Sequence, residues 1–517
     1  YDAYQLSGVS GHGVQSFYYP KTAQENCNGC HMSSLPSDDF GAKVVAGKAG
    51  LHIKDHLYPS ANTALPAVRN APDWVNEAHR EMLEGAVRVD VFGARDGSDL
   101  SSPIAAPLDE VEFEFEPGRS YVVDIVVRTL TLGHHLTQGT ADSNQLWVEV
   151  EAGDARGTFG RSGGMDKGRV DPHAHFINSY VLDADANRID RRNAEDIFVA
   201  LYNHQIPPGA ADVLHYQLDV PSDAVGDIWI QARVRYRKFD KTYVDYVYPD
   251  GLDIELPITD LGSARYPSSA SDDQEQIATW TRWNDFGIGN LRKPRVKNAE
   301  YELLAAREAF QEVVRQGQPS GWLNVARTFI ADRRFDQAAQ ALEKARPYRA
   351  ELAHWTFDWL AGTINLENGF LDEAIDNFES AMKPTGQTEA RGFDFSKDYR
   401  LLNELATAYF ERSKQARGAA NSELKELLLA ESRRLLQAVL ELDPENQRAH
   451  YTLSLVETRA GNQEVAETHR KAHQTYKRDD QARESVVSKH RSDNPAARAA
   501  TEAIVIYDLH RPGAPGL

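Results

Sequence analysis

Five consecutive residues, Cys27, Asn28, Gly29, Cys30 and His31, hold both cysteines of the 517-residue chain. In the spacing C-x-x-C-H, each thiol can add to a vinyl group of one haem, and the imidazole that follows can ligate its iron. All three reactive residues then have a role. The same dithiol could form a redox-active or structural disulfide, which tolerates His31 without requiring it. It could also supply half of a zinc site, but zinc needs a second Cys or His pair, and no other cysteine exists. Covalent attachment of haem c at Cys27 and Cys30, with His31 as the proximal iron ligand, is the expectation.

A low-spin iron needs a second axial ligand. Residues 1–84 carry little periodic pattern yet hold five histidines, His12, His31, His52, His56 and His79. Such a stretch reads as an irregular haem-binding segment in which the cofactor replaces the missing apolar core. His12 lies between Gly11 and Gly13, and His52 and His56 are four apart, although Pro59 and Asn62 favour a loop over a helix there. Two later loops, 132–140 with His134 and 202–209 with His204, place histidine beside glycine or proline, where loop backbone can bring an imidazole to a cofactor edge. His173 and His175 form a His-x-His pair that could bind a transition metal, though contact with haem or a buried hydrogen bond is preferred. Asp183, Asp185 and Asn187 match a calcium loop only in part, lacking its glycine and its distal bidentate Glu, so a polar hairpin turn is the better reading.

The elements that must position these residues change in texture along the chain. From Val87 onward, runs alternate with period two: Val87–Phe92, Val111–Phe115, Tyr121–Val127, Leu146–Val150, Val213–Val220, Ile228–Tyr236 and Tyr243–Tyr248. Seven half-buried strands separated by turn signals predict an antiparallel β-sandwich over 85–262. Residues 263–298 read as a linker, polar at 268–273, with Trp280, Trp283 and Phe286 as apolar anchors. From 299 to 478 the pattern is helical and repeats: Ala326, Ala338, Leu342 and Ala345, then Gly362, Ala374, Phe378 and Ala381, fit tetratricopeptide helix pairs about 36 residues apart. Ala406, Tyr409, Ala430, Ala438 and Pro444 give a third copy, stretched near 417–426, and Leu453, Ala466 and His473 a weaker fourth. The concave face of the array is left free for a peptide or protein partner, or for a scaffold or dimer contact. The extension 479–517 ends in the β-branched run Ile504–Tyr507, a strand that could dock on the β-domain. The fold class is thus multidomain: an irregular haem segment at 1–84, a β-sandwich and an α-helical repeat solenoid.

Bulk composition narrows the partners. A formal net charge of −20 argues against nucleic acid, whose phosphates call for a basic face. No apolar run approaches the length that crosses a bilayer. The sequence starts at Tyr1 without an initiator methionine, as a mature product or a piece of a longer precursor would.

A β-domain with a Gly133-His134 loop and a later Asn203, Ile206, Pro207, Pro208, Gly209 loop resembles the one fused to haem segments in multihaem c-type cytochromes. The resemblance implies that His134 is a candidate distal haem ligand; His56, His52 and His12 stand beside it as candidates from the N-terminal segment. The chain departs from the family pattern at Thr137 and Gln138, where the family has Pro-Thr. By the same resemblance the protein is periplasmic or extracellular, and its function is one-electron transfer within a multihaem chain or assembly. A multihaem oxidoreductase acting on a small nitrogen or sulfur compound, and a repeat-based binding protein with an accessory haem, are the alternatives. One C-x-x-C-H among so many histidines implies other haem-bearing chains or cytochromes as partners, in an oligomer or filament.

Overall fold

The computed structural model describes residues 1–517 except 138–140, 253, 269–276, 294–300 and 503. Two compact units are present, and both are discontinuous in sequence. One joins 24–301 to 481–517, and the other joins 1–23 to 302–480.

The first unit is built on two sheets. One has the order β9-β6-β2-β1, formed by β1 (Val87–Asp96), β2 (Ser120–Thr129), β6 (Ala211–Asp219) and β9 (Ile506–Asp508). The other runs β5-β3-β7-β8, from β3 (Gln145–Asp154), β5 (His175–Phe176), β7 (Trp229–Arg237) and β8 (Ile258–Tyr266), with β4 (Gly157–Ser162) also on β3. The sheets meet where β1 lies against β8 and β7. At that seam a Cβ on Gly262 would stand 2.3 Å from the carbonyl oxygen of Val87, so only glycine lets the backbones approach. The alternating runs bury Val89, Val91, Val123, Ile125, Val148, Val150 and Val234. Each such side chain contributes about 1.5–3 kcal/mol on burial.

Two runs read as strands differ. Val111–Phe115 joins no ladder; instead Phe113, Phe115 and Tyr121 pack ring edge to ring face at 5.0–5.7 Å. Tyr243–Tyr248 lies mostly in a helix, Lys241–Val247, because the Asp240 carboxylate caps it by accepting from the Tyr243 N–H at 2.7 Å. The sandwich is also not wholly antiparallel: β9 pairs parallel with β6, His215 opposite Ile506. That pairing docks the C-terminal run on the β-domain.

Segment 24–84 has few buried residues, chiefly His52, Thr63, Ala64, His79 and Leu83. Around them, Phe40, Val44 and Trp74 are exposed. A short sheet joins Ser34–Pro36, Lys43–Val44 and Leu51–Lys54, followed by α1 (Asp73–Leu83). The segment is tied to the sandwich where the Tyr236 hydroxyl donates to the Ala61 carbonyl at 2.6 Å. The stretch expected to be a linker instead contains a helix, α2 (Thr279–Arg292), packed on β6. It is buried nearly all round, and a Cβ on Gly289 would meet Val213 at 2.7 Å. Of the polar stretch 268–273, residues 269–273 lie outside the described residues.

The second unit is a helical repeat region: α3 (Tyr301–Arg315), α4 (Gly321–Ala331), α5 (Phe335–Ala345), α6 (His354–Asn368), α7 (Leu371–Met382), α8 (Tyr399–Gln415), α9 (Ser422–Leu442), α10 (Gln447–Ala460) and α11 (Gln463–Tyr476). The hairpins α4/α5, α6/α7, α8/α9 and α10/α11 each close through small residues. Ala326, Ala338, Ala374 and Ala466 are fully buried, and Gly362 sits under the Phe378 ring. The third copy has a shifted register: Ala430 is exposed, and Ser432, Leu436 and Val439 face the core. The extension α12 (Asp480–Asp493) belongs mainly to the first unit, where the His490 Nδ1–H donates to the Ala186 carbonyl at 2.9 Å.

Candidate functional site

Cys27 caps a single helical turn, Asn28–His31, in which the His31 N–H donates to the Cys27 carbonyl at 3.0 Å and the Cys30 N–H at 3.2 Å. Positions i, i+3 and i+4 share one side of a helix, so this turn gathers both thiols and the imidazole on one face. Both cysteines are free and exposed.

The His31 ring is fixed from two directions. Its Nδ1 lies 2.7 Å from the Pro59 carbonyl, and the Tyr58 ring stacks on it at 4.8 Å with planes 10° apart. Since a carbonyl only accepts, Nδ1 carries the hydrogen, and the neutral ring presents Nε2 as a lone pair. His134, in the loop after β2, lies near-parallel to it: the two ring centres are 6.3 Å apart and the planes 13° from parallel. His134 Nδ1 donates to the His135 carbonyl at 2.9 Å, which leaves its Nε2 as the lone pair too. Burial holds the His134 imidazole below its ordinary pKa, and pushes His135 down to about 4 with help from the Arg292 charge.

The loop carrying His134 is held by its neighbours. Gln205 donates to the Leu136 carbonyl at 3.1 Å, and Asn144 to the Thr137 hydroxyl at 2.6 Å. Arg292 from α2 donates to the carbonyls of Gln205 at 3.1 Å and Ala211 at 2.6 Å, tying the second histidine loop to β6. The loop's Gln138, Gly139 and Thr140 lie outside the described residues.

Of the four distal candidates, His134 is the ring that lies near-parallel to His31. His52 is buried in the strand Leu51–Lys54 with its Nδ1 lacking a hydrogen-bond partner, and His56 is exposed. His12 belongs to the other unit, its Nδ1 donating to the Asp394 carbonyl at 3.0 Å. Tyr58 and Pro59 are the participants that sequence reading missed; an aromatic–proline pair two residues beyond His56 was the available signal.

A second imidazole cluster sits in the sandwich. His175 and His204 stack at 5.0 Å, Tyr202 stacks on His204 at 4.2 Å, and the Tyr507 hydroxyl lies 2.7 Å from His175 Nδ1. His175 Nε2 is buried without a hydrogen-bond partner, 3.9 Å from an Asp212 oxygen. Its sequence neighbour His173 does not join it: the His173 N–H caps back to Asp171 in a turn. Among the described residues, no three His, Cys, Asp or Glu side chains converge to hold a metal ion. Asp183 accepts from the backbone of Asp185 and Asn187 and from the Asn187 amide at 2.8–3.0 Å, closing a polar turn.

No protein-family model matches the chain, and no curated protein matches it. Among solved structures it is similar to MamA from Desulfovibrio magneticus RS-1 at 15% identity and a TM-score of 0.28, over 42% of this chain and 96% of that one. It is also similar to YrrB, described as a TPR protein with an unusual peptide-binding site, at 14% identity and 0.28, over 40% and 91%. A penta-haem cytochrome c552 from Thermochromatium tepidum matches at 14% identity and 0.25, over 36% of this chain and 40% of the cytochrome. Similarity at these scores carries no argument about what this chain does.

Proposed function

We propose that the chain is an electron-transfer c-type cytochrome in which Cys27 and Cys30 would hold haem c and His31 and His134 would be the imidazoles that ligate its iron. The observation that carries this reading is the near-parallel approach of the two rings, centres 6.3 Å apart, with a free thiol pair in the turn that carries His31. An ion held between two imidazoles at about 2 Å from each nitrogen separates the ring centres by about 6 Å. Both rings meet the further requirement that the nitrogen away from the iron be committed to an acceptor, here the carbonyls of Pro59 and His135. The shortage of buried apolar side chains in 24–84 fits a segment organised around a cofactor.

When bound, the haem supplies reversible one-electron uptake at iron. The chain's own part is to hold both imidazoles oriented and to keep His134 neutral. Tyr58 stacks against His31, and burial keeps His134 from taking a proton that would block its lone pair. If both His31 and His134 held the iron, the chain would serve as a carrier rather than a catalyst. A periplasmic or extracellular setting and association with other haem-bearing chains are part of the same proposal. The test is a pyridine haemochrome assay with intact mass: one added haem mass per chain is the expected result, and a chain without it sinks the reading.

A further inference from the structure

The repeat unit contains residues 1–23 as well as the repeat helices. Beyond the four-residue helix Asp2–Gln5 this segment has no regular structure, and it lies along the first helices of successive hairpins. Arg327 on α4 donates to the carbonyls of Gln15 at 2.9 Å and Ser16 at 3.3 Å. On α6 the Thr356 hydroxyl donates to the Val14 carbonyl at 3.1 Å, and Arg400 on α8 donates to the Leu6 carbonyl at 2.8 Å. Arg391, before α8, reaches the carbonyls of Tyr19 and Pro20, and the Asp398 carboxylate accepts from the Val14 N–H at 3.0 Å. Two side chains anchor the segment. The Tyr19 ring stands edge-on to Trp355 at 5.2 Å, and Phe17 lies under the Arg327 guanidinium at 4.8 Å. The face expected to be free is therefore occupied by the chain itself.

The hold is that of a receptor on a peptide, because most of these bonds read backbone and two aromatic rings pack on repeat side chains. Arg327 sharpens the point. Its side chain is half-buried, with an enclosed Nε that has no hydrogen-bond partner; its acceptors are carbonyls of the segment, and the Phe17 and Trp359 rings lie against the guanidinium. Enclosing a cation is costly unless oxygens and ring faces of this kind meet it. We infer that this face of the repeats is a peptide-binding groove, and that the partner it fits is residues 1–23 of a second copy of the chain, exchanged for its own. The segment reaches the repeats through sequence only by way of 24–301, and is otherwise held without covalent bonds. A second copy's segment makes the same contacts, so exchange forfeits none of them.

The test uses the full chain. Chains labelled with nitrogen-15 and carrying a benzophenone amino acid in place of Phe17 are mixed with unlabelled natural chains and irradiated. Exchange predicts cross-linked peptides joining a labelled 1–23 segment to unlabelled repeat helices; cross-links confined to one isotope, or none, overturn it. Because the analogue alters an anchor, the natural chain is also titrated with a fluorescent synthetic peptide of residues 1–23. Saturable binding that Arg327→Ala weakens by about tenfold or more supports the inference. Absence of saturable binding, or indifference to Arg327→Ala, overturns it. Neither readout involves haem, so failure here leaves the electron-transfer proposal separately testable.

Discussion

Two pairs of histidines lie with their rings nearly parallel, and they differ in what surrounds them. His31 and His134 stand 6.3 Å apart beside two free thiols, each with Nδ1 donated to a backbone carbonyl. His175 and His204 stack at 5.0 Å in the sandwich core, among Tyr202 and Tyr507, with His175 Nε2 and His204 Nδ1 buried and without hydrogen-bond partners. The first pair has the separation of two imidazoles on opposite sides of an ion; the second is closer than that. Proximity of imidazoles is thus a poor guide to a ligand pair. The fate of the nitrogen that would not bind metal, and the presence of a covalent anchor, discriminate better.

The largest expected effect breaks the comparison outright. Replacing Cys27 and Cys30 together by Ser removes the covalent haem mass completely, whereas His204→Phe retains it; retention in the double variant would end the distinction between the pairs. Next, His134→Ala keeps the haem mass but opens one side of the iron, so the reduced protein takes up carbon monoxide while the natural chain and His204→Phe do not. An optical spectrum unchanged by His134→Ala assigns the distal role elsewhere.

The third prediction concerns acid. Burial pushes His204 down to about 4 and holds His175 well below its ordinary range, so both are neutral in the folded chain. Between about pH 6.5 and 4 the unfolded chain binds more protons, so stability rises with pH across that window and is lost on acidification. For His204 the loss amounts to about 3 kcal/mol. Urea midpoints of the β unit measured from pH 7 to pH 4 should fall steeply, and His204→Phe should flatten the profile. The smallest effect is Tyr58→Ala, which deletes a ring stacked on His31 at the cost of about 1 kcal/mol while leaving haem incorporation intact. Loss of incorporation would show that the ring is needed to build the site rather than to steady it.

How much was legible depends on the range of the interaction. The C-x-x-C-H turn is readable because its geometry is local, and the strands from Val87 to Val127 and from Val213 to Tyr236 are readable wherever alternation coincides with a ladder. Tyr243–Tyr248 misled because one capping aspartate, Asp240, outweighs the alternation that follows it. The helix Thr279–Arg292 was hidden by its glycines and by buried polar residues such as Asn284 and Asn290, which look like a linker until the close approach at Gly289 is seen. In the third repeat Ala406 is buried as expected but Ala430 is exposed, and the buried serine Ser432, donating to the Ala406 carbonyl at 2.8 Å, gave no apolar signal. The N-terminal segment was illegible for a deeper reason. The repeats hold it largely by its carbonyls, which every residue carries, so its sequence holds little record of the contact.

The interleaving of the two units sets an order of events during synthesis. Residues 1–23 are made well before the helices that receive them, which begin only at 302, a wait on the order of tens of seconds at ordinary translation rates. The sheet edge at β6 waits longer still, since Ile506–Asp508 follows the repeats. A chain released at any point before about residue 508 therefore has at least one unit unfinished. Premature termination should leave chains exposing an open strand edge, or a 1–23 segment without the helices that receive it, to the machinery that clears unfinished proteins.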